Sequence, residues 1–482
     1  NCDQILDTGG DFGNTYDCNA ESTVTMTAIP TYHYPQTGRL TVLGAGESGV
    51  GTAILARKQG FEVWVSDKGQ IAEHYRNELD AAGIRYEEGG HNEPEIMKSS
   101  LVIKSPGIPP TVPIVKQLKA AGIPVIAEIE FAAQYTDAKL ICITGSNGKS
   151  TTTMLTWHLL SRGGLNVGLA GNIGRSFALQ VAREQYDYYV LELSSFMLDD
   201  MEHFRADVAV LLNITPDHLD RYDHKLENYI ASKFRIIRNQ RPEDLFIYCA
   251  DDPLTLQGLE NYRPTATMLP FSLQKKVDPG AYLNDHNELV INIPNQDTFK
   301  MDINELSLQG KHNVYNNMAS GLVAKAQELR NATMKESMGA FKNIPHRLEF
   351  VACIAGVNYI NDSKATNVNA VWYALESLAP HVVLIMGGVD KGNDYEMLRD
   401  LVRTKVRAIV CIGKDNSRIY DSLEEDAQII VNSSSMRDAV EIASHLAQKG
   451  DTVLLSPACA SFDWFKNFED RGEQFKEAVM NL

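Results

Sequence analysis

The sequence predicts an α/β protein of three doubly wound domains, and three observations carry that prediction. Its 482 residues exceed what one hydrophobic core fills, and at roughly 150 residues per domain the length points to three. Two glycine-rich loops, Gly44–Gly49 and Gly145–Gly148, each stand between an apolar run and a helical pattern, the signature of strand, ligand loop and helix. Beyond residue 344, four further apolar runs alternate with helical stretches. The chain therefore divides into a Rossmann-like domain at 39–127, a P-loop ATPase-like α/β domain at 128–343 and a second Rossmann-like domain at 344–482. Residues 1–38 are polar and lack helical or alternating apolar period, so they read as a disordered extension or a start-site artefact.

In the first domain, Arg39–Leu43 is an apolar strand that runs into Gly44-Ala-Gly46-Glu-Ser-Gly49. Val50–Gln59 has helical spacing, Phe61–Val65 is the next strand, and Asp67 stands where the dinucleotide fingerprint places its acid. The glycines answer to a tight turn and a close pyrophosphate, so they fit any nucleotide diphosphate. Strands at Leu101–Lys104 and Pro124–Ile126 alternate with helical stretches at 71–82 and 112–121. Ser105-Pro-Gly107 follows a strand, at the sheet edge where open α/β folds bind ligands.

The second domain owns Leu140-Ile-Cys-Ile-Thr-Gly-Ser-Asn-Gly-Lys-Ser-Thr-Thr-Thr153. Its N–H groups and the following helix N-terminus suit an anion, Lys149 can reach a terminal phosphate, and Ser150 can hold Mg²⁺. The spacing is Gly145-x-x-Gly148-Lys149-Ser150, shorter than the full Walker pattern, so context carries the reading. A strand at 188–193 contains Glu192, and an acid inside an apolar strand must be paired or metal-bound. Another strand at 206–212 leads to Asp217-His218, and a helix carrying Lys233 follows. From Asp251 to Leu308 the period is weak, and Gly310-Lys-His-Asn313-Val-Tyr-Asn316 then opens a helix reaching Leu329. In the third domain, strands at 357–360, 382–386, 408–412 and 452–455 end in Asp362-Ser-Lys364-Ala-Thr366, Gly387-Gly-Val-Asp-Lys391 and Ser456-Pro-Ala-Cys-Ala-Ser461. A hinge is expected near 343–345.

Composition narrows the partners. Hydrophobic content of 44% with 22% charged residues is ordinary for a soluble domain protein, and no apolar run approaches the roughly 20 residues that span a bilayer. A net charge of −17 opposes nucleic acid and anionic membrane surfaces, leaving small molecules as partners and a monomer as the expected state. The seven cysteines are odd in number, several lie in apolar runs, and none forms a C-x-x-C pair, which fits reduced cytoplasmic thiols without zinc. No basic segment followed by an apolar one opens the sequence, so no secretory signal is expected.

The two loops differ in chemistry. Gly44–Gly49 carries no lysine and no metal hydroxyl, whereas Gly145–Ser150 carries both, so the first is built to hold a diphosphate and the second to transfer a phosphoryl group. Ser150, Glu192 and His218 are available metal ligands, Arg347 can pair bidentately with phosphate, and Lys364 and Lys391 can receive an acidic acceptor.

Together the strings Thr144-Gly-Ser-Asn-Gly-Lys-Ser-Thr151, Asn361-Asp-Ser-Lys-Ala-Thr-Asn367 and Ser456-Pro-Ala-Cys-Ala-Ser-Phe-Asp-Trp-Phe-Lys-Asn-Phe-Glu-Asp-Arg-Gly472 resemble the Mur ligases of peptidoglycan synthesis, the last two most closely their D-glutamate-adding members. The resemblance runs from Arg39 to the C-terminus and implies an ATP-dependent ligase working through an acyl phosphate. It implies ATP contacts at Gly145, Ser146, Asn147, Gly148, Lys149, Ser150, Thr151, Thr152, Asn313, Asn316, Arg347 and Asp362. Two Mg²⁺ ions would be held by Ser150, Glu192, His218 and Lys233, the last as a carbamylated lysine. Lys149, His218, Lys233 and Lys364 would be catalytic, and Thr366, Lys391, Ser461 and Phe468 would receive D-glutamate. Gly46, Glu47, Ser48, Asp67, Ser105, Gly107 and Asn172 would line the UDP-substrate site. The alternatives are a folylpolyglutamate synthetase-like ligase, which has no use for the nucleotide fold at 39–127, and a dinucleotide-dependent oxidoreductase, which leaves Lys149 and Glu192 without work. A non-catalytic nucleotide-binding scaffold would be expected to have lost one of these groups.

Overall fold

The computed structural model describes residues 34–482 apart from 218, 309, 342–344 and 391–392. The expected extension up to residue 33, the candidates His218 and Lys391 and most of the expected hinge thus lie outside the described residues.

Three sheets follow one another along the chain. The first holds β1 (Arg39–Leu43), β2 (Glu62–Ser66), β3 (Arg85–Glu87), β4 (Leu101–Lys104) and β5 (Val125–Ile126), all parallel, in the order β3-β2-β1-β4-β5. That is half of a doubly wound fold, and its strand ends turn toward β1 and β4, where the order reverses. The helix Glu47–Lys58 follows β1 directly. Gly49 permits this turn, because a Cβ there would lie 1.9 Å from the Gly44 carbonyl oxygen.

The central sheet contains β6 (Lys139–Thr144), β7 (Val167–Gly171), β8 (Tyr188–Glu192), β9 (Val208–Leu211), β10 (Leu245–Cys249), β11 (Thr267–Ser272), β12 (Gly280–Leu283), β13 (Glu288–Asn292) and β14 (Phe299–Asp302). Its order is β14-β13-β12-β11-β10-β9-β6-β8-β7, parallel from β7 to β12 and antiparallel over the last three strands. In β6, Ile141 and Ile143 pack with Leu155, Met318 and Leu322 on one face. Leu140 and Cys142 join the opposite core, which runs without a break into the first domain through Phe131, Phe61 and Val65. Burial on both faces explains why the parallel strands read as continuous apolar runs.

The third sheet joins β15 (Glu349–Ile354), β16 (Val357–Asn361), β17 (Val382–Gly387), β18 (Val406–Ile412), β19 (Ile430–Asn432) and β20 (Thr452–Leu455) in the order β15-β16-β20-β17-β18-β19. Only β15 is antiparallel. Helix Val368–Ser377 covers one face through Val371 and Leu375, and helices Met436–Leu446 and Phe468–Met480 cover the other through Val440 and Phe475. The structure adds β3, β7, β10, β15 and β19 to the expected strands, and the weakly periodic segment 251–308 holds helix Pro253–Asn261 and four strands. No described helix is long and apolar enough to cross a membrane. Among the described residues Cys142, Cys249, Cys353, Cys411 and Cys459 are free thiols.

Candidate active site

The loop after β6 is held by Asn213 and Thr215. Ser146 N–H donates to Asn213 O at 3.0 Å and Asn147 N–H to Asn213 Oδ1 at 2.9 Å, while Ser146 Oγ donates to Thr215 O at 2.9 Å. Gly148 has φ +82° and precedes the helix Lys149–Arg162; a Cβ there would meet Asn316 Oδ1 at 2.5 Å. The residue must be glycine both for its backbone region and for its neighbour. Lys149 Nζ folds back onto Gly145 O at 3.0 Å and Ser146 O at 2.8 Å. Burial lowers the Lys149 pKa, and Glu192 and Asp217 oppose that shift.

A cavity of about 360 Å³ opens above the loop, lined by Ser146, Lys149, Ser150, Glu192, Asp217 and Lys233 of the central domain. Glu192 ends β8 and is buried; Asn172 Nδ2 donates to its Oε1 at 2.9 Å, and its Oε2 has no hydrogen-bond partner. A buried carboxylate oxygen without a donor is costly unless a cation takes it, and with the Ser150 hydroxyl it forms a hard oxygen donor set that fits Mg²⁺. Among the described residues no group of three or more histidine, cysteine, aspartate or glutamate ligands surrounds that point.

Lys233 is 1% exposed, donates to Gly145 O at 2.8 Å and Thr144 Oγ1 at 3.3 Å, and lies 5.2 Å from the Tyr229 ring centroid. No described carboxylate is within ion-pair reach of it. Burial, then repulsion from Lys149, pushes its pKa well below the ordinary lysine range. Burial thus disfavours the charged form of this lysine next to the phosphate loop.

The third domain closes over the same cavity. Lys364, Thr366, Asn367 and Phe468 join its lining, and Asn367 Nδ2 donates to Asp217 Oδ2 at 3.2 Å across the domain junction. Burial lowers the Lys364 pKa to about 8, and Nζ sits 5.4 Å from the Phe468 ring centroid. Ser461 is buried and outside the lining; its carbonyl accepts the Phe465 N–H at 3.0 Å. Arg471, fully buried, donates to Ser363 Oγ, Ser363 O and Cys459 O, so it fixes the loops that carry Lys364 and Ser461. The sequence gives no reason to single it out from other helix arginines.

Arg347 borders this cavity and a narrower one of about 110 Å³ lined by Asn147, Gly148, Thr151, Asp251, His312, Tyr315, Asn316 and Asp362. Thr152 Oγ1 donates to Asn316 Oδ1 at 3.1 Å, and Asn316 Nδ2 to Asn313 Oδ1 at 3.1 Å. Burial raises the Asp362 pKa to about 6, and Ser456 Oγ donates to it at 2.9 Å. Burial lowers His312 to about 4, so it stays neutral. A slot with asparagines, a neutral imidazole and an apolar wall, adjoining the phosphate loop, has the chemistry of a nucleoside site.

The UDP-site candidates separate. Asp67 and Gly107 line a cavity of about 690 Å³ with Lys68, His91 and Ile108, and Asp67 Oδ2 accepts the Ala45 N–H at 2.6 Å. Gly46, Glu47, Ser48 and Ser105 stand outside that lining. Glu47 Oε1 instead accepts the Ser176 N–H at 3.1 Å, at the junction with the central domain, and Asn172 belongs to Glu192.

Three comparisons bear on this geometry. Residues 38–127 match the family of MurD-like Mur ligase N-terminal domains, 143–324 the Mur ligase middle domain, and 346–459 the Mur ligase glutamate ligase domain. The chain is similar to a protein of Porphyromonas gingivalis named UDP-N-acetylmuramoylalanine–D-glutamate ligase, 53% identical over 444 residues, covering 92% of this chain and 98% of that one. A Bacteroides fragilis protein of the same name is 52% identical over 445 residues, covering 92% and 100%. A solved MurF ligase of Thermotoga maritima in complex with ADP shares the fold, with a TM-score of 0.57 at 15% identity over 87% of this chain and 95% of that one.

Proposed function

The chain belongs to the Mur ligase family, and from that premise we propose that it is the ATP-dependent ligase that joins D-glutamate to UDP-N-acetylmuramoyl-L-alanine in peptidoglycan precursor synthesis. It acts on small molecules, as a cytoplasmic monomer. The observation that carries the reading is the single cavity in which Lys149, Glu192 and Lys233 of the central domain face Lys364, Thr366 and Phe468 of the third.

In this reading the substrate carboxylate attacks the γ-phosphorus of ATP, the bond to the β-phosphate oxygen breaks, and ADP leaves with that electron pair. The amine of D-glutamate then attacks the carbonyl carbon of the acyl phosphate, a C–N bond forms, phosphate departs and the amine loses its proton. Lys149 leaves its carbonyl partners to meet the γ-phosphate, and the N–H groups opening the helix Lys149–Arg162 hold the β-phosphate. Asn316 and His312 orient the nucleoside, Asn313 holding Asn316 by a hydrogen bond, and Arg347, between the two cavities, meets the phosphates. Ser150 and Glu192 would hold one Mg²⁺, and a carbamylated Lys233 with His218 a second. Bound metal supplies neutralisation of the charge on the transferring phosphoryl group. Thr366 and Phe468 line the D-glutamate pocket, Ser461 shapes the loop behind it and Lys391 would meet the acceptor's carboxylate, the third domain excluding water from the acyl phosphate. Asp67 and Gly107 line the UDP side, with Gly46, Glu47, Ser48 and Ser105 acting through loop shape. Labelling the substrate carboxylate with ¹⁸O tests the route: one labelled oxygen appears in the released phosphate, and unlabelled phosphate rejects the acyl phosphate.

Lys364 gives the reaction an alkaline limit. Its pKa, lowered by burial to about 8, makes it a cation below that pH and a neutral amine above it. A cation is what assists phosphate departure, so kcat/KM of the free enzyme is expected to fall as pH rises through about 8. Lys364→Arg, always charged, moves the limb upward; a limb unchanged by that substitution assigns it to another group.

A further inference from the structure

Behind the substrate loop lies an ion pair that the chemistry above does not use. Lys104 ends β4 and pairs with Asp200 at 2.7 Å, the side chains 1% and 7% exposed. Among the described residues it is the one ion pair with both partners buried. The ammonium also donates to Ile108 O at 2.8 Å and Ser105 O at 3.4 Å, so it spans the base of the Ser105–Ile108 turn. That turn walls two cavities: Pro106 and Gly107 line the one above the phosphate loop, and Gly107 and Ile108 line the one in the first domain. Asp200 follows the helix Ser195–Asp199, whose Ser195 and Phe196 also line the reaction cavity, and its carbonyl accepts the Ala127 N–H at 3.1 Å.

We propose that Lys104 is a positioning residue: its pair with Asp200 pins the Ser105–Ile108 turn to the central domain, so that a substrate held by the first domain presents its carboxylate to the phosphate loop. Its donors are committed to protein acceptors, so it acts through the turn. A buried ion pair is seldom worth more to stability than apolar side chains of similar volume, whereas it fixes one register of the surfaces it joins. Replacing the pair with apolar residues therefore separates the two roles. The identity of the substrate served by the turn rests on the ligase reading above; the order of the turn does not.

The test compares wild type with Lys104→Met/Asp200→Leu in the full chain, the double substitution leaving no unpaired buried charge. Expected are a melting temperature close to that of wild type and amide hydrogen exchange at Gly107 and Ile108 faster by about tenfold. The KM for UDP-N-acetylmuramoyl-L-alanine is expected to rise by about tenfold or more, with the KM for ATP changed less than about twofold. Unchanged exchange at the turn overturns the pin. An unchanged KM for the UDP substrate, or a rise in both KM values alongside a lowered melting temperature, overturns its role in positioning. Failure of the wild type to use the UDP substrate would reject the ligase reading instead, and the exchange rates would still decide the pin.

Discussion

Lys149→Ala is expected to lower turnover by about 10³-fold or more while leaving the fold unchanged. The two effects separate because of what the lysine touches. Its only described hydrogen bonds run to two loop carbonyls, Gly145 O and Ser146 O, whereas the loop itself is held by Asn213 and Thr215. Removing a buried cation also relieves repulsion on Lys233, so the folded state loses little. What is lost is the charge that meets the γ-phosphate in a water-excluded cavity. The check is steady-state phosphate release beside a thermal melt; a rate within about tenfold of wild type at normal stability would remove the lysine from the mechanism.

The second large effect concerns Lys233. Burial favours the neutral form of this amine, the form that attacks carbon dioxide: a nitrogen–carbon bond forms, a proton leaves, and an anionic carbamate replaces the amine. Stripping carbon dioxide from the buffers is expected to lower wild-type turnover, and bicarbonate to restore it. Lys233→Arg, charged and unable to form the carbamate, is expected to lose at least about 100-fold with no response to bicarbonate. With ¹³C-bicarbonate, wild type is expected to show a carbamate carbon resonance that Lys233→Arg lacks. Indifference of the wild-type rate together with an absent resonance would assign Lys233 a structural role.

Much of this was legible in the sequence because glycine, lysine and buried acids carry local physical meaning. Gly145 and Gly148 both take positive φ, as a loop opening a helix requires, and Glu192 stands in an apolar strand with one oxygen unsatisfied. Other features depend on register and are invisible locally. Asn172 reaches Glu192 because Gly171 pairs with that acid between β7 and β8, and Asn367 meets Asp217 only once the third domain is in place. Glu47 stands in the glycine loop by sequence, and its carboxylate takes a backbone N–H of the neighbouring domain, a contact no local pattern announces. The strands between 267 and 302 escaped because they are short and lie toward the sheet edge, where polar residues such as Glu288 and Asn292 flank an apolar centre of three. Lys104 looked like a strand-ending lysine, and its meaning came only with Asp200, from another domain.

Acceptor choice tests the central claim most directly. With ATP, Mg²⁺ and UDP-N-acetylmuramoyl-L-alanine present, phosphate release is measured on adding D-glutamate, L-glutamate or diaminopimelate in turn. The expected result is release that depends on D-glutamate and exceeds that with either other amino acid by about 100-fold or more. Release that ignores D-glutamate, or that follows L-glutamate or diaminopimelate instead, would contradict it.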